Sequence, residues 1–280
     1  LNYRHAFHAG NFADALKHAI LTLLVRRLGE KGKPFAVLDT HGGPGLYDLF
    51  GAEALKTGEA RAGIVRLLAR KDPPPALVPY LAAVRAANEG GEGACRFYPG
   101  SPRLVRGLLR PGDRQTVCEL HPGDAALLAA EFRGDRQVTV KAMDGWTAVR
   151  ALLPPPERRG LVLIDPPFEE PGEFGRLVRA LKEGHRRFAT GQFVLWYPVK
   201  DRGQVDEFHA ALAETGIRRQ LVAELSVKAP APGVLSGSGL VLVNPPWRTE
   251  ETLAGLLPWL AEVLAQEKGG GYRLDWLVPE

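Results

Sequence analysis

Short runs of β-branched and leucine residues alternate along the chain with stretches whose apolar positions recur every three or four residues. From Phe12, the positions Ala15, Leu16, Ala19, Ile20, Leu23 and Leu24 keep helical spacing up to Arg26 and Arg27, and Gly29 stops the run. Lys17 and His18 flank the apolar face of this predicted helix. Short buried strands are expected at 35–40, 115–120, 137–141, 160–164 and 193–196, each too short for a helix and bounded by glycine, proline or charge. Helices are expected at 103–109, 125–132, 174–183 and 204–215. Residues 219–227 and 239–243 read as a strand pair joined by a Pro/Gly/Ser-rich loop, followed by a helix at 256–264 and a short end strand at 274–278.

From Val37 to Trp196 this alternation predicts five parallel strands whose carboxyl ends share one edge. A strand reached without an intervening helix is antiparallel. The expected class is α/β, a Rossmann-like sheet that is mostly parallel with one antiparallel strand near the C-terminus. In such folds an acidic residue that grips ribose hydroxyls follows the glycine loop by about 20 residues. The best candidate, Glu119, comes far later, so an insertion is expected. Residues 58–70 and 77–87 are helical in pattern, Asp72-Pro73-Pro74-Pro75 separates them, and 88–93 is glycine-rich. Residues 50–97 are therefore expected to form a small helical subdomain, with 1–49 and 98–280 as the main domain and 98–102 as a rigid return loop.

Composition adds limits. With 280 residues, 45% hydrophobic and 24% charged, the chain has material for one large core. A net charge of +4 permits an anionic partner without demanding one. Cys95 and Cys118 are the only cysteines, so neither a disulfide framework nor a zinc site is indicated. No apolar run reaches membrane-spanning length, and a soluble cytoplasmic protein is expected. Arg96, Arg103, Arg106, Arg110 and Arg114 form a basic stretch, either a solvated surface or one facing phosphates.

The candidate chemistry lies at the strand ends. His41-Gly42-Gly43-Pro44-Gly45 follows the strand at 35–40, and its glycines let backbone approach a nucleotide-type cofactor closely. A plain glycine turn is the alternative. The strand at 160–164 delivers Asp165-Pro166-Pro167-Phe168. Two prolines fix φ and remove donors, so a carboxylate and an aromatic ring are held rigidly at the carboxyl edge, where open α/β sheets bind ligands. That arrangement suits methylation of a nucleobase exocyclic amine. The amine lone pair is delocalised into the ring, so Asp165 and the Pro166 carbonyl would align it and take up charge while Phe168 stacks on the extruded base. A strand-ending turn with a capping Asp is the bland alternative. Asn244-Pro245-Pro246-Trp247 fits the same loose pattern, but it ends an antiparallel strand, belongs at the opposite edge and reads as structural.

Together the glycine loop, Glu119, Asp144-Gly145 and Asp165 resemble a class I adenosylmethionine-dependent methyltransferase, with Gly43 and Gly45 as the glycines of its (D/E)xxxGxG loop. The blocks YRHAFHAGNFADALKH, LDTHGGPG, YPGSP, ELHP, LIDPPFE and LWYPV resemble the RlmJ family over essentially the whole chain. That family methylates an adenine N6 amine in 23S ribosomal RNA. The resemblance implies that His18, His41, Ser101, Glu119, Asp144, Gly145 and Asp165 contact S-adenosylmethionine. It also implies that Asp165 is the catalytic acceptor, assisted by Pro166 and Phe168, and that Tyr3 meets the RNA. The expected partner is 23S rRNA free of ribosomal proteins, with no metal, no membrane and no obligate protein partner. Two departures stand out: the family's DPPY is DPPF here, and its THAGAG is THGGPG. Phe168 lacks the phenolic hydroxyl, and Pro44 removes one loop N–H. The rivals are the same chemistry on DNA and a non-catalytic nucleic-acid-binding protein linked to use of external DNA.

Overall fold

The computed structural model describes residues 4–89, 94–231 and 233–280; Tyr3, expected to meet substrate, lies outside the described residues. Helix α1 (Phe12–Gly29) starts at Asn11, whose side chain accepts from the Asp14 N–H at 2.9 Å and so satisfies one of the free amides of the first turn. It leads into β1 (Ala36–Asp39). Strands β2 (Leu46–Asp48) and β3 (Phe97–Pro99) bracket three short helices, α2 (Ala52–Thr57), α3 (Ile64–Ala69) and α4 (Val78–Ala86). Then α5 (Ser101–Arg106), β4 (Arg114–Glu119), α6 (Pro122–Glu131), β5 (Val138–Ala142), α7 (Gly145–Ala151), β6 (Gly160–Ile164), α8 (Glu173–Arg187) and β7 (Gln192–Val199) alternate. The chain closes with α9 (Arg202–Ala213), β8 (Gln220–Ser226), β9 (Gly237–Val243), α10 (Thr249–Leu264) and β10 (Gly271–Val278).

The main sheet has the order β10-β8-β9-β7-β6-β1-β4-β5. Strands β5, β4, β1, β6 and β7 are parallel, as the alternation predicts. Two strands rather than one run against them: β9 pairs antiparallel with β7, β8 with β9, and β10 with β8, so β8 returns to the parallel sense and β10 opposes it again. Alternate residues divide between the faces. Val37, Leu161 and Leu163 join the core around α1, whereas Leu38, Val162 and Ile164 join the core under α7, α8 and α9.

Helix α1 is enclosed rather than amphipathic: every residue from Phe12 to Val25 is buried, Lys17 and His18 included. It packs on β7 and β9 and against α4, α5 and α10. The predicted helix at 58–70 is broken. Gly58 ends α2 in the left-handed region, and Gly63 approaches Gly10 and Asn11 so closely that a Cβ would strike their backbone. A 3₁₀ turn, Glu59–Ala62, separates the two glycines. Residues 98–102 are not simply a loop, because β3 pairs antiparallel with β2 through Tyr47 and Tyr98. Ile64, Leu67, Tyr80, Leu81 and Val84 share the core of α1. Among the described residues no helix is long and apolar enough to cross a membrane.

Candidate active site

The chain leaves β1 toward β4 and β5 on one side, and β6 starts the run to β7 on the other. The carboxyl ends of β1 and β6 therefore meet at the topological switch point, where open α/β sheets bind ligands. A cavity of about 540 Å³ opens there, lined by Lys17, His41, Glu119, Asp144, Asp165 and Trp196 among others. Strand β6 stops at Ile164, paired with Leu195, so β7 from Trp196 onward extends past it and forms a wall of the cavity.

Asp165 stands at the centre. Its Oδ2 lies 2.6 Å from Lys17 Nζ, which is also 2.9 Å from Asp14 Oδ1. Asp14 Oδ2 accepts the Gly10 N–H at 2.9 Å and sits 2.8 Å from His5 Nε2. Burial opposes the charge on Lys17, but the two carboxylates outweigh it and raise its pKa above the ordinary lysine value. Burial likewise opposes charge on Asp14, and His5 and Lys17 hold its carboxyl well below the usual range. After Pro166 and Pro167, Phe168 adopts φ +53, and its ring meets Phe174 edge-on at 4.9 Å and Trp196 at 5.6 Å. Lys17 also lies 6.0 Å from the Trp196 ring.

The glycine loop is tied to β4. Gly42 N–H donates to Cys118 O at 2.9 Å, and Gly43 N–H to Glu119 Oε2 at 2.8 Å. Glu119 Oε1 accepts from His121 N at 2.7 Å, and burial raises the Glu119 pKa. Gly43 has φ +60, and a Cβ there would collide with the Tyr47 hydroxyl. Gly45, at φ +85, does not line the cavity; its carbonyl accepts Gly100 N–H at 2.9 Å and braces the loop from behind.

Ser101 donates to Asp39 Oδ2 at 2.6 Å, and burial pushes fully enclosed Asp39 up to about 6 although the Ser101 bond works the other way. Thr40 donates its hydroxyl proton to Leu163 O at 3.0 Å, so His41, 2.7 Å away, uses an Nδ1–H toward the Thr40 oxygen and leaves Nε2 as an acceptor. Burial pushes His41 down to about 4, which keeps it neutral. His18 Nδ1 is 2.7 Å from the Tyr98 hydroxyl, itself 2.9 Å from that of Tyr80, and burial pushes His18 down to about 3. Asp144 caps α7 through Oδ2, which accepts from Thr147 N and Oγ1 at 2.8 and 2.7 Å. At Gly145 a Cβ would strike the Thr40 carbonyl and the His41 ring.

Thus His18, His41, Gly43, Ser101, Glu119, Asp144, Gly145, Asp165, Pro166 and Phe168 converge on one cavity. Asp14, Trp196 and the pairing of Lys17 are additions to the cavity that local pattern did not reveal, and enclosed Asp39 supports Ser101 from behind it. The basic stretch does not face the cavity as free charge: Arg103 pairs with Glu131, Arg106 with Asp135 and Arg110 with Asp113. Asn244 lies at the opposite edge, since Val243 pairs with Phe193 at the start of β7. Its amide donates to Ala189 O and Gly191 O, both at 2.9 Å, in a structural role.

The donor set suits S-adenosylmethionine. Glu119 presents a carboxylate that a ribose diol can share, Asp144 retains Oδ1 for an adenine amine, and the absence of side chains at Gly43 and Gly145 lets the backbone around the cavity close against Tyr47, Thr40 and His41. A family model described as ribosomal RNA large subunit methyltransferase D, RlmJ, matches residues 32–278. Over the full length of both chains, the protein is 44% identical to ribosomal RNA large subunit methyltransferase J of Haemophilus influenzae and 43% identical to that of Escherichia coli K12. The crystal structure of protein LPL1258 from Legionella pneumophila aligns with a TM-score of 0.89 at 32% identity, covering 96% of this chain and 98% of that one. The full-length relatives extend the match through α1, with its Lys17 and His18. Carrying its Asp-Pro-Pro turn at the switch point of the sheet, the chain belongs to the RlmJ family of ribosomal RNA large subunit methyltransferases.

Proposed function

We propose that the chain transfers a methyl group from S-adenosylmethionine to the N6 amine of an adenine in 23S ribosomal RNA, with Asp165 as the catalytic acceptor. The observation that carries this reading is Asp165 at the switch point with Oδ2 bound to Lys17 and Oδ1 left for substrate.

S-adenosylmethionine, when bound, supplies a methyl group already activated as a sulfonium, so positioning and electrostatics carry the reaction. Asp165 Oδ1 and the Pro166 carbonyl accept hydrogen bonds from the two amine N–H groups, draw the nitrogen lone pair out of the ring and offset the charge that develops there, and as the N–CH3 bond forms one of these protons leaves through Asp165 Oδ1. Phe168, braced by Phe174 and Trp196, packs on the extruded base. Lys17 fixes the Asp165 carboxylate and balances its charge. Glu119 holds the cofactor ribose, Asp144 and Gly145 its adenine, and His18, His41, Ser101 and Gly43 shape the remaining wall, with Gly45 bracing the loop from behind. The family resemblance also gives Tyr3 a part in meeting the RNA. A base has to leave its stack to reach Asp165, which favours rRNA free of ribosomal proteins as the substrate.

Asp165→Ala tests the assignment. Methyl incorporation into protein-free 23S rRNA falls by about a hundredfold or more, while the cofactor dissociation constant stays within about threefold. Undiminished methylation rejects it, and a preference for duplex DNA over rRNA transfers the chemistry to the other substrate.

A further inference from the structure

On the edge of the sheet away from the active site, Asn244-Pro245-Pro246-Trp247 borders a second cleft of about 780 Å³. Its walls carry Arg27, Lys31, Lys33, Arg158, Arg159 and Arg219 against only Glu30 and Glu157. Arg27 is paired with Glu30 and Arg219 with Glu280, and the remaining four cations face only Glu157, which leaves the cleft basic. The side chains of Lys31, Lys33 and Arg158 are exposed and have no partner among the described residues, unlike the acid-paired arginines of 103–110. Three buried polar atoms on the walls are also unpartnered: Arg219 Nε, Gln192 Oε1 and Glu157 Oε2.

Above these cations stands Trp247, 81% exposed. The turn that holds it is rigid. Asn244 is anchored to Ala189 and Gly191, Arg219 Nη2 donates to Pro245 O at 3.1 Å, and two prolines fix the path between. The Arg248 guanidinium lies 5.3 Å from the indole centroid. An indole displayed this openly contributes little to folding, and as a preordered flat surface it loses little entropy when something stacks on it. Aromatic stacking combined with cations spaced along a cleft is the chemistry that binds an unpaired nucleotide, its base on the ring and its phosphates on the lysines and arginines.

We infer that this cleft is a second RNA-contact site, which binds an unpaired nucleotide of the same ribosomal RNA that reacts at Asp165. The inference rests on the reading of the chain as an RNA methyltransferase. Helix α1 connects the two places, with Lys17 at the reaction centre and Arg27 at the cleft, about 15 Å apart along the helix axis.

The test compares wild type, Trp247→Ala, Trp247→Phe and the double variant Lys31→Glu with Lys33→Glu on two RNAs. One is a protein-free rRNA fragment of several helices around the target; the other is a short oligonucleotide with only the target adenine and its immediate neighbours. Trp247→Ala raises Kd and KM for the long fragment about tenfold with kcat unchanged, and Trp247→Phe restores most of the affinity. The double charge reversal weakens binding further and flattens its salt dependence. All four proteins treat the short oligonucleotide alike. Unchanged affinity for the long fragment in both Trp247→Ala and the charge-reversed protein overturns the inference. Trp247-dependent RNA binding without methyl transfer by wild type would reject the proposed reaction and leave the cleft standing; normal methylation with unaltered RNA affinity in the variants does the reverse.

Discussion

Lys17 Nζ lies 2.6 Å from Asp165 Oδ2 although 148 positions separate the two residues. The ammonium joins Asp14 on its own helix to the carboxylate at the end of β6, so one buried cation is shared between two acids, and Asp14 also meets His5. Lys17→Met leaves Asp165 without its cation and Asp14 with only His5. Removing one partner of such a group costs about 3–5 kcal/mol, and the methyl-transfer rate falls roughly a hundredfold as Asp165 loses its orientation. Single-turnover methylation and denaturant unfolding of the same preparation measure both effects; an unaltered rate would show that Lys17 is only structural.

Asp39 titrates in the opposite sense from an ordinary ion-paired carboxylate. Burial raises it from 3.8 to about 6, so folding favours its protonated form. Its contribution is fully present below about pH 4 and is lost as pH rises through 6. Asp39→Asn removes the cost of ionisation, so urea unfolding at pH 8 shows the variant more stable by about 1–3 kcal/mol, with little difference near pH 4.

For His18 and His41 the sign reverses. Burial lowers them from 6.5 to about 3 and about 4, so the folded protein prefers neutral imidazoles. The stability they contribute is present above pH 6.5 and is lost as pH falls toward those values. Between about pH 6.5 and 4 these two histidines and His209, which burial also lowers to about 4, act against Asp39 and Glu119, both raised by burial. Urea midpoints fall through this window, and His18→Gln, which can keep a hydrogen bond to Tyr98, reduces the slope.

Phe168, which we propose stacks on the target base and which stands where the family resemblance has tyrosine, rests edge-on against Phe174 and Trp196. Phe168→Tyr alters kcat/KM by less than about threefold, because the packed ring is retained. Phe168→Ala lowers kcat/KM by about tenfold or more, the usual scale for a lost aromatic platform under a base. Steady-state kinetics on protein-free rRNA distinguishes stacking from hydroxyl chemistry: a large gain in the tyrosine variant would assign the hydroxyl a role.

The parallel strands and the placement of both Pro-Pro turns were legible because hydrophobic runs and chain order are local signals. Val243 opposite Phe193 confirms that topology separates Asn244 from Asp165. Strands β2 and β3 were hidden, since three residues cannot display a period. Gly63 broke a predicted helix through a close approach to Gly10 and Asn11, which no local pattern records. Lys17 and His18 looked like the flank of an apolar face, because the partners that let them enter the core, Asp165 and Tyr98, lie far away in sequence. The arginines at 103–110 could be assigned only once Glu131 and Asp135 were seen beside them.

The enclosure of α1 carries a further consequence. Asp14, Lys17 and His18 sit in a helix buried from Phe12 to Val25, so the groups proposed to fix Asp165 loosen only when the core itself opens. Heat therefore breaks the contact of Lys17 with Asp165 from the α1 side only at the temperature at which the core melts.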